Sequence, residues 1–380
     1  MTQQNLNGER KGVMKYITPS YKKKILPYLT TLSKEKLEQY FRDTEETIQE
    51  LVTRLGKRPK EVKWIVQSIG LYLYGNKGRN FYADCQKIQL SKEITLWTLQ
   101  PPGGGCLHIF QTPKGKLMID AGYGVNYDDW VMTLVRLGLG SFDDVKMLLI
   151  THGDADHVGM AGFMPCPAYM HPVTKELLQS GSRGFAAVNN FKKLVRTYTL
   201  NINTISQINI PEDIILAKTV PLFSRGAFPV IDTIDFAGLH FEVIESRGGH
   251  LAGQLFYYEP KFGLLFTSDA ILNMASLSRP RLIFGAIPDY LITSVNINSR
   301  LATEERTDLF ALAKELDAEL KKSGRFIRLV CGHGAVSTFD AEGKLAVTDP
   351  VVHIANRRRG TEKLHGLFTA VRWGILRKTV

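Results

Sequence analysis

The stretch Val145-Lys146-Met147-Leu148-Leu149-Ile150-Thr151-His152-Gly153-Asp154-Ala155-Asp156-His157-Val158-Gly159 decides how the chain is read. Its first six residues are apolar but for one lysine and lack the polar alternation of a solvated edge, so they predict a short buried strand. That strand ends abruptly in two histidines, two aspartates and two glycines. Imidazole and carboxylate together suit zinc, manganese or iron. His152, Asp154 and Asp156 alternate and His157 follows directly, so one tight loop can aim ligands at two neighbouring metal positions. Such a cluster is tolerated only with partners or metals.

On the N-terminal side of this loop, Ile94–Leu99, Cys106–Phe110 and Leu117–Asp120 read as short strands joined by turn residues, the signature of an antiparallel meander. Pro101-Pro102-Gly103-Gly104-Gly105 lacks the Lys-Ser/Thr of a phosphate-binding loop and opens onto a strand, so it is read as a turn. An amphipathic helix is predicted from Asp128 to Gly138. On the C-terminal side, Ala168–His171 is a further short strand, and 172–240 is a long mixed stretch suited to a substrate lid or pocket wall, with a helix from Phe191 to Tyr198. Strands follow at Phe241–Ile244, Gln254–Tyr258, Leu264–Asp269 and Phe326–Val330, with a helix over about Thr303–Lys322.

The ends of the chain have another texture. Ser33 caps a helix running to about Leu55, with Gly56 beyond it, and Pro59 starts a second helix with Val62, Ile65, Val66, Ile69 and Leu73 on one face. The pair reads as a helical hairpin docked on something larger. Residues 362–378 place Leu364, Leu367, Phe368, Val371, Ile375 and Leu376 on one helical face with Arg and Lys elsewhere, read as docking on the body rather than on a membrane surface. Boundaries at 1–90 (helical extension), 91–350 (catalytic domain) and 351–380 (basic tail helix) follow. Of the +11 net charge, residues 1–90 hold 17 Lys/Arg against 9 Asp/Glu and residues 352–380 hold 7 against 1, whereas 91–351 holds 24 against 27. Without a nucleic-acid motif, the basic ends are read as solvated faces, and nucleic acid is not favoured as a partner.

Composition narrows the class. With 44% hydrophobic and 22% charged residues, broad disorder is excluded. Cys85, Cys106, Cys166 and Cys331 form no CxxC pair, which argues against a zinc ribbon or disulfide scaffold and fits a reducing cytosol. Residues 1–10 lack the apolar core of a signal peptide, and no segment approaches the roughly eighteen apolar residues of a membrane span. The expectation is a cytoplasmic protein, its oligomeric state unassigned.

Ligand-type residues therefore stand at four strand ends: His152 to His157, His250, Asp269 and His333. In order and spacing, residues of about 92–340 resemble the metallo-β-lactamase superfamily, whose T-H-x-H-x-D-H-x-G loop is followed by Gly-His, Asp and Gly-His. The resemblance implies an α/β fold, a four-layer αβ/βα sandwich with a binuclear site at one edge of two facing sheets. It implies that His152, Asp154 and His250 hold one metal, that Asp156, His157 and His333 hold a second, and that Asp269 bridges them. Asp120 would support the loop without being a ligand. The departure is Asp154, where the family usually has histidine. By charge counting an extra carboxylate weakens Lewis acidity and favours harder metals, Mn²⁺ or Fe²⁺, with zinc kept first on family grounds.

The implied function is a metal-dependent hydrolase using a metal-bridging hydroxide on a small ester, thioester or lactone, with Asp156 or Asp269 steering the nucleophile's proton. The alternative is a phosphodiesterase or nuclease, suggested by the H-x-D-x-D-H variant and the basic ends; a non-hydrolytic redox enzyme on the same scaffold is third. Arg183 and Arg247 are read as substrate-anion contacts, His171 as a further strand-end histidine near the metal edge, and Cys331 as a core residue.

Overall fold

The computed structural model describes residues 14–29, 32–186, 192–292 and 294–356. Helices α1 (Pro19–Ile25), α2 (Lys34–Leu55) and α3 (Pro59–Gly75) come first. Both caps predicted for α2 form: Ser33 accepts from Lys36 N–H, and Gly56 takes the left-handed conformation at φ 60°.

Strands β1 (Tyr82–Gln89), β2 (Thr95–Gln100), β3 (Leu107–Thr112) and β4 (Gly115–Ile119) then run as an antiparallel meander. Helix α4 (Tyr127–Arg136) crosses over to β5 (Val145–Leu149), which lies parallel to β4. The one-turn helix α5 (Ala155–Val158) leads to β6 (Ala168–Met170). Helices α6 (Pro172–Ser180) and α7 (Lys192–Ile205) precede β7 (Ile214–Leu216), parallel to β6 at the sheet's edge. The second sheet is built from β8 (Phe223–Arg225), β9 (Phe228–Phe236), β10 (Leu239–Glu245), β11 (Leu255–Glu259) and β12 (Leu264–Ser268). It continues, after α8 (Arg279–Gly285), α9 (Ile287–Ile292) and α10 (Ser299–Lys321), with β13 (Arg328–Cys331), β14 (Ser337–Phe339) and β15 (Leu345–Val347). Strand β16 (Val352–Ala355) returns to pair antiparallel with β1. Each sheet has eight strands, in the orders 16-1-2-3-4-5-6-7 and 15-14-13-12-11-10-9-8.

Three apolar layers make this a four-layer sandwich. Between the sheets, Leu96, Phe110, Leu117 and Leu149 of the first meet Phe241, Val243, Tyr257 and Phe266 of the second. Phe110 packs edge-on against Phe241 at 5.5 Å, and each such ring, fully buried, contributes about 2–3 kcal/mol. Outside the first sheet, Trp130 and Leu134 of α4 join Met118 and Leu148. Outside the second, Leu309, Leu312, Leu316 and Leu320 of α10 cover Phe256 and Leu265. The αβ/βα order expected from the sequence is the observed one.

Three segments differ from expectation. Residues 82–89, placed with the helical extension, are a strand of the first sheet; their apolar positions alternate only weakly, and their neighbours β2 and β16 fix the pairing. The stretch 172–240 is wall only as far as α7, because from Ile214 it supplies strands to both sheets. Residues 352–355, placed with the tail, form an edge strand, and the helix expected over 362–378 lies outside the described residues.

The N-terminal helices dock on the body. Thr44 of α2 meets Asn201 Oδ1 of α7 at 2.5 Å, and Tyr72 of α3 stacks on Phe284 of α8 at 4.4 Å while donating its hydroxyl to Pro102 O at 2.6 Å. They form one apolar cluster with α7, α8 and α9. This cluster roofs the end of the sandwich where β4, β5, β12 and β13 finish.

Candidate metal centre

The loop after β5 turns because Asp154, with extended backbone (φ −74°, ψ 144°), precedes the single turn of α5 and its carbonyl accepts from His157 and Val158 N–H. Asp154 and Asp156 are thereby aimed at the cavity, and His157 back under the sheet edge. Asp120, just past β4, fastens the loop. One oxygen accepts from Thr151 N–H at 2.8 Å; the other takes the Thr151 hydroxyl at 2.8 Å and His157 Nδ1–H at 2.8 Å. Asp120 does this from a left-handed backbone, φ 61°, and Ser268 at the end of β12 has φ 50°. Left-handed non-glycine residues cost on the order of 1 kcal/mol each, and here both sit beside the same cluster.

The second sheet brings the rest: His250 from the loop after β10, Asp269 directly after β12 and His333 after β13. Measured between donor atoms, His152 Nε2 lies 3.5 Å and His250 Nε2 3.3 Å from Asp154 Oδ2. Asp156 Oδ2 is 3.7 Å from His157 Nε2 and 3.4 Å from His333 Nε2. Asp269 stands between the groups, with Oδ1 3.3 Å from His157 Nε2 and Oδ2 3.3 Å from His333 Nε2 and 3.7 Å from His250 Nε2. All seven residues named from the sequence are thus brought together. The donor atoms of His152, His250 and Asp269 lie within 4.8 Å of one another, as do those of Asp156, His157 and His333.

Three observations fit this arrangement to metal ions. First, a tetrahedron with metal–ligand bonds of 2.0–2.2 Å has edges of roughly 3.3–3.6 Å, close to the separations above. Second, His152 Nε2, His157 Nε2, His250 Nε2 and Asp269 Oδ1 are buried without a hydrogen-bond partner among the described residues. Third, the opposite ring nitrogens are committed. His157 Nδ1 faces Asp120, and His250 Nδ1 faces Asn296 Oδ1 at 3.0 Å. His152 Nδ1 lies 3.0 Å from Thr151 Oγ1, whose own proton goes to Asp120, so the imidazole donates there. With a proton on Nδ1 toward these partners, the neutral rings of His152, His157 and His250 would present the Nε2 lone pair to the centre, the tautomer a metal ligand needs.

The electrostatics agree. Burial alone would disfavour a charged His157 or His333, but Asp269 and Asp156 outweigh it, and the protonated forms are favoured, His333 up to about 10. Burial likewise opposes charge on Asp154 and Asp269, yet Arg183 beside the first and His333 and His157 beside the second hold both carboxyls well below their usual range. Three clustered carboxylates thus select for positive charge, and a divalent cation supplies it where protons otherwise would.

Over this cluster lies an apolar cavity of about 140 Å³. Asp154, Asp156, Asp269 and His333 line its floor, and Ile69, Tyr123, Tyr198, Ile202, Leu277, Phe284 and Ile287 its walls. A wider cleft of about 750 Å³, lined by Lys57, His250, Tyr290, Ser294, Asn296 and Arg306, meets it at Asp269, Leu272, Met274 and Val295.

The other residues raised by the sequence fall elsewhere. Arg183 is in the cavity but pairs with Asp154 at 3.2 Å. Arg247 pairs with Asp308 at 2.5 Å, away from the cavity. His171 caps α6 through Nδ1 and pairs with Glu245 through Nε2 at 3.0 Å, so it is structural. Cys331 is buried, and burial pushes its thiol up to about 12, which makes it a core residue. The sequence reading missed the triple glycine: a Cβ on Gly105 would lie 2.6 Å from His157 Cε1, so this turn is the surface on which His157 rests. A Cβ on Gly332 would collide with Asp269 Oδ1 in the same way. Gly332 stands directly before the ligand-type His333, which is a local signal; Gly105 precedes β3, which bears no ligand, and carries none.

No family model matches the chain, and no curated protein matches it. Similar solved structures include a metallo-β-lactamase from Pontibacter korlensis (17% identity over 67% of this chain and 93% of that one, TM-score 0.37) and the Rm3 metallo-β-lactamase (14%, 66% and 78%, 0.38). Another is a chemotaxis sensor, ODP, described as a peroxy diiron species (13%, 67% and 89%, 0.39). The fold, two mixed eight-stranded sheets face to face with helices outside, is metallo-β-lactamase-like, as the resemblance in the sequence implies.

Proposed function

We propose that the protein is a metal-dependent hydrolase of small carboxylic esters, thioesters or lactones that carry a compact apolar group. Zinc is the first choice of metal and manganese or iron the next, held by His152, Asp154 and His250 in one group and Asp156, His157 and His333 in the other, with Asp269 between. The observation that carries the proposal is the union of imidazoles whose Nε2 atoms have no partner among the described residues with an apolar cavity directly above them. When bound, such ions supply Lewis acidity and an activated water.

The chain's own residues have separable tasks in this reading. Ile69, Ile202 and Phe284 exclude water and hold the apolar group; a lined space of this size accepts roughly a benzene ring or short acyl chain. Asp156 or Asp269, both on the cavity floor, accepts the nucleophile's proton on a carboxylate oxygen. The wider cleft, with its hydroxyls and amide, takes the leaving group.

A phosphodiesterase or nuclease is less well supported. Backbone-binding sites need uncommitted cations along an open groove. Here Arg183 is paired with Asp154, and Arg281 is paired with Asp84 while donating to Pro101 O and Gln100 O. A panel of p-nitrophenyl acyl esters of increasing length, an acyl thioester, a lactone and bis-p-nitrophenyl phosphate tests the choice. Turnover of carbonyl substrates with a maximum at short acyl chains is expected; turnover of the phosphodiester alone would reverse it. Metal analysis should find about two ions per chain.

A further inference from the structure

Arg183 is an unusual neighbour for a metal group. Its side chain is 6% exposed, Nη2 lies 3.2 Å from Asp154 Oδ2 and donates to Val295 O at 2.6 Å, and Nε is buried without a partner among the described residues. A cation held this firmly beside ligands to a cation needs a reason, since a guanidinium repels the ion its neighbours would bind. The reason lies in Asp154. The same oxygen that meets Arg183 also faces His152 Nε2 and His250 Nε2, so one carboxylate oxygen is shared by two imidazoles and a guanidinium.

We infer that Arg183 is the built-in counter-ion of Asp154, so that the pair presents a net-neutral ligand where the sequence pattern otherwise has a neutral histidine. Arg183 is then a positioning and charge-setting residue and is not a substrate contact. The inference rests on the reading of His152, Asp154 and His250 as a metal group. Its consequence reverses the charge count made from the sequence. Two divalent ions with three aspartates carry +1, and Arg183 restores +2, the value expected with histidine at position 154. The loss of Lewis acidity that an uncompensated Asp154 would impose is thereby offset, while the donor at position 154 stays a carboxylate oxygen.

The test is zinc binding by the metal-stripped full chain, measured against a chromogenic chelator. Arg183→Met should tighten zinc binding by on the order of tenfold or more, which a unit charge beside a divalent ion is worth even at the dielectric constant of water. Arg183→Lys should stay within about threefold of the parent, because it keeps the charge. A second readout is thermal unfolding of the zinc-free proteins. Arg183→Met and Asp154→His should each lower the midpoint, because each leaves one buried charge unpaired, and the double variant should recover most of the loss. Unchanged or weaker zinc binding in Arg183→Met, or losses that simply add in the double variant, would overturn the inference. A parent protein that binds no zinc, manganese or iron would instead remove the metal reading on which it stands.

Discussion

The two ligand groups share one loop, yet their surroundings differ in charge. Behind His152 and His250 stand neutral acceptors, the Thr151 and Ser268 hydroxyls and the Asn296 amide, and beside Asp154 stands a guanidinium. Behind His157 stands the carboxylate of Asp120, and beside it Asp156 and Asp269. With Asp269 common to both, the first group, where Arg183 offsets Asp154, is less anionic than the second, which keeps the charges of Asp156 and Asp120. A fully buried imidazole backed by a carboxylate is a more basic ligand than one backed by an amide, so the second group should bind the tighter of two ions.

The largest effect should come from the residue both groups share. Asp269→Ala is expected to lower kcat/KM by about a thousandfold and bound metal from two ions to one or fewer, with an unchanged circular-dichroism spectrum. A variant that keeps two ions and its activity would erase the link between the groups. Asp120→Asn keeps the shape and removes the charge behind His157. It should weaken the tighter binding step by about 10–100-fold while leaving the weaker one nearly unchanged, as read by zinc titration. Equal weakening of both steps would mean that the two halves do not differ as described.

His108 lies behind the second group, buried beside Thr98, and burial holds it down at about 4 despite the nearby Asp120 charge. Its folded value is below the ordinary 6.5, so the unfolded chain binds the extra proton first. The stability tied to the neutral ring is complete above about pH 6.5 and is lost as pH falls toward 4, about 2 kcal/mol of it by pH 5. His108→Gln should flatten that part of the profile in urea unfolding at pH 5 and 7.5; an unaltered profile would show that the acid sensitivity comes from elsewhere. The smallest effect is expected for Asn296→Ala, which removes a neutral partner of His250. It should weaken only the looser step, by several-fold, since a neutral hydrogen bond is worth about 1 kcal/mol.

What could be read in the sequence follows the same division between local and assembled features. The seven ligand-type residues and Asp120 were legible because strand ends, glycines and imidazoles are local signals with fixed spacing. Helix α2 was legible to within a residue for the same reason, with Ser33 and Gly56 marking its ends. The pairing of β1 with β16, the strand roles of 214–236 and the roof over the cavity were not, since each depends on partners far along the chain. Arg183 shows the limit most clearly. Its type suggested an anion partner, but only the fold reveals that the anion is Asp154. The apolar stripe of α3 gave packing surface, yet nothing in its period marked Ile69 as the residue that faces the cavity.

The closing of the first sheet also bears on how the molecule assembles. Strand β1 near residue 85 waits for β16 near residue 354, a pairing reinforced by His353 Nδ1 and Asp84 Oδ1 at 2.7 Å across 269 positions of sequence. Asp84 is in turn the partner of Arg281, whose helix α8 stacks on Tyr72. A ribosome therefore releases almost the whole domain before its first-made strand finds its outer neighbour, and contacts this distant are the slow ones to form. Until then the outer edge of β1 is unpaired, so closure of the first sheet should come late in folding.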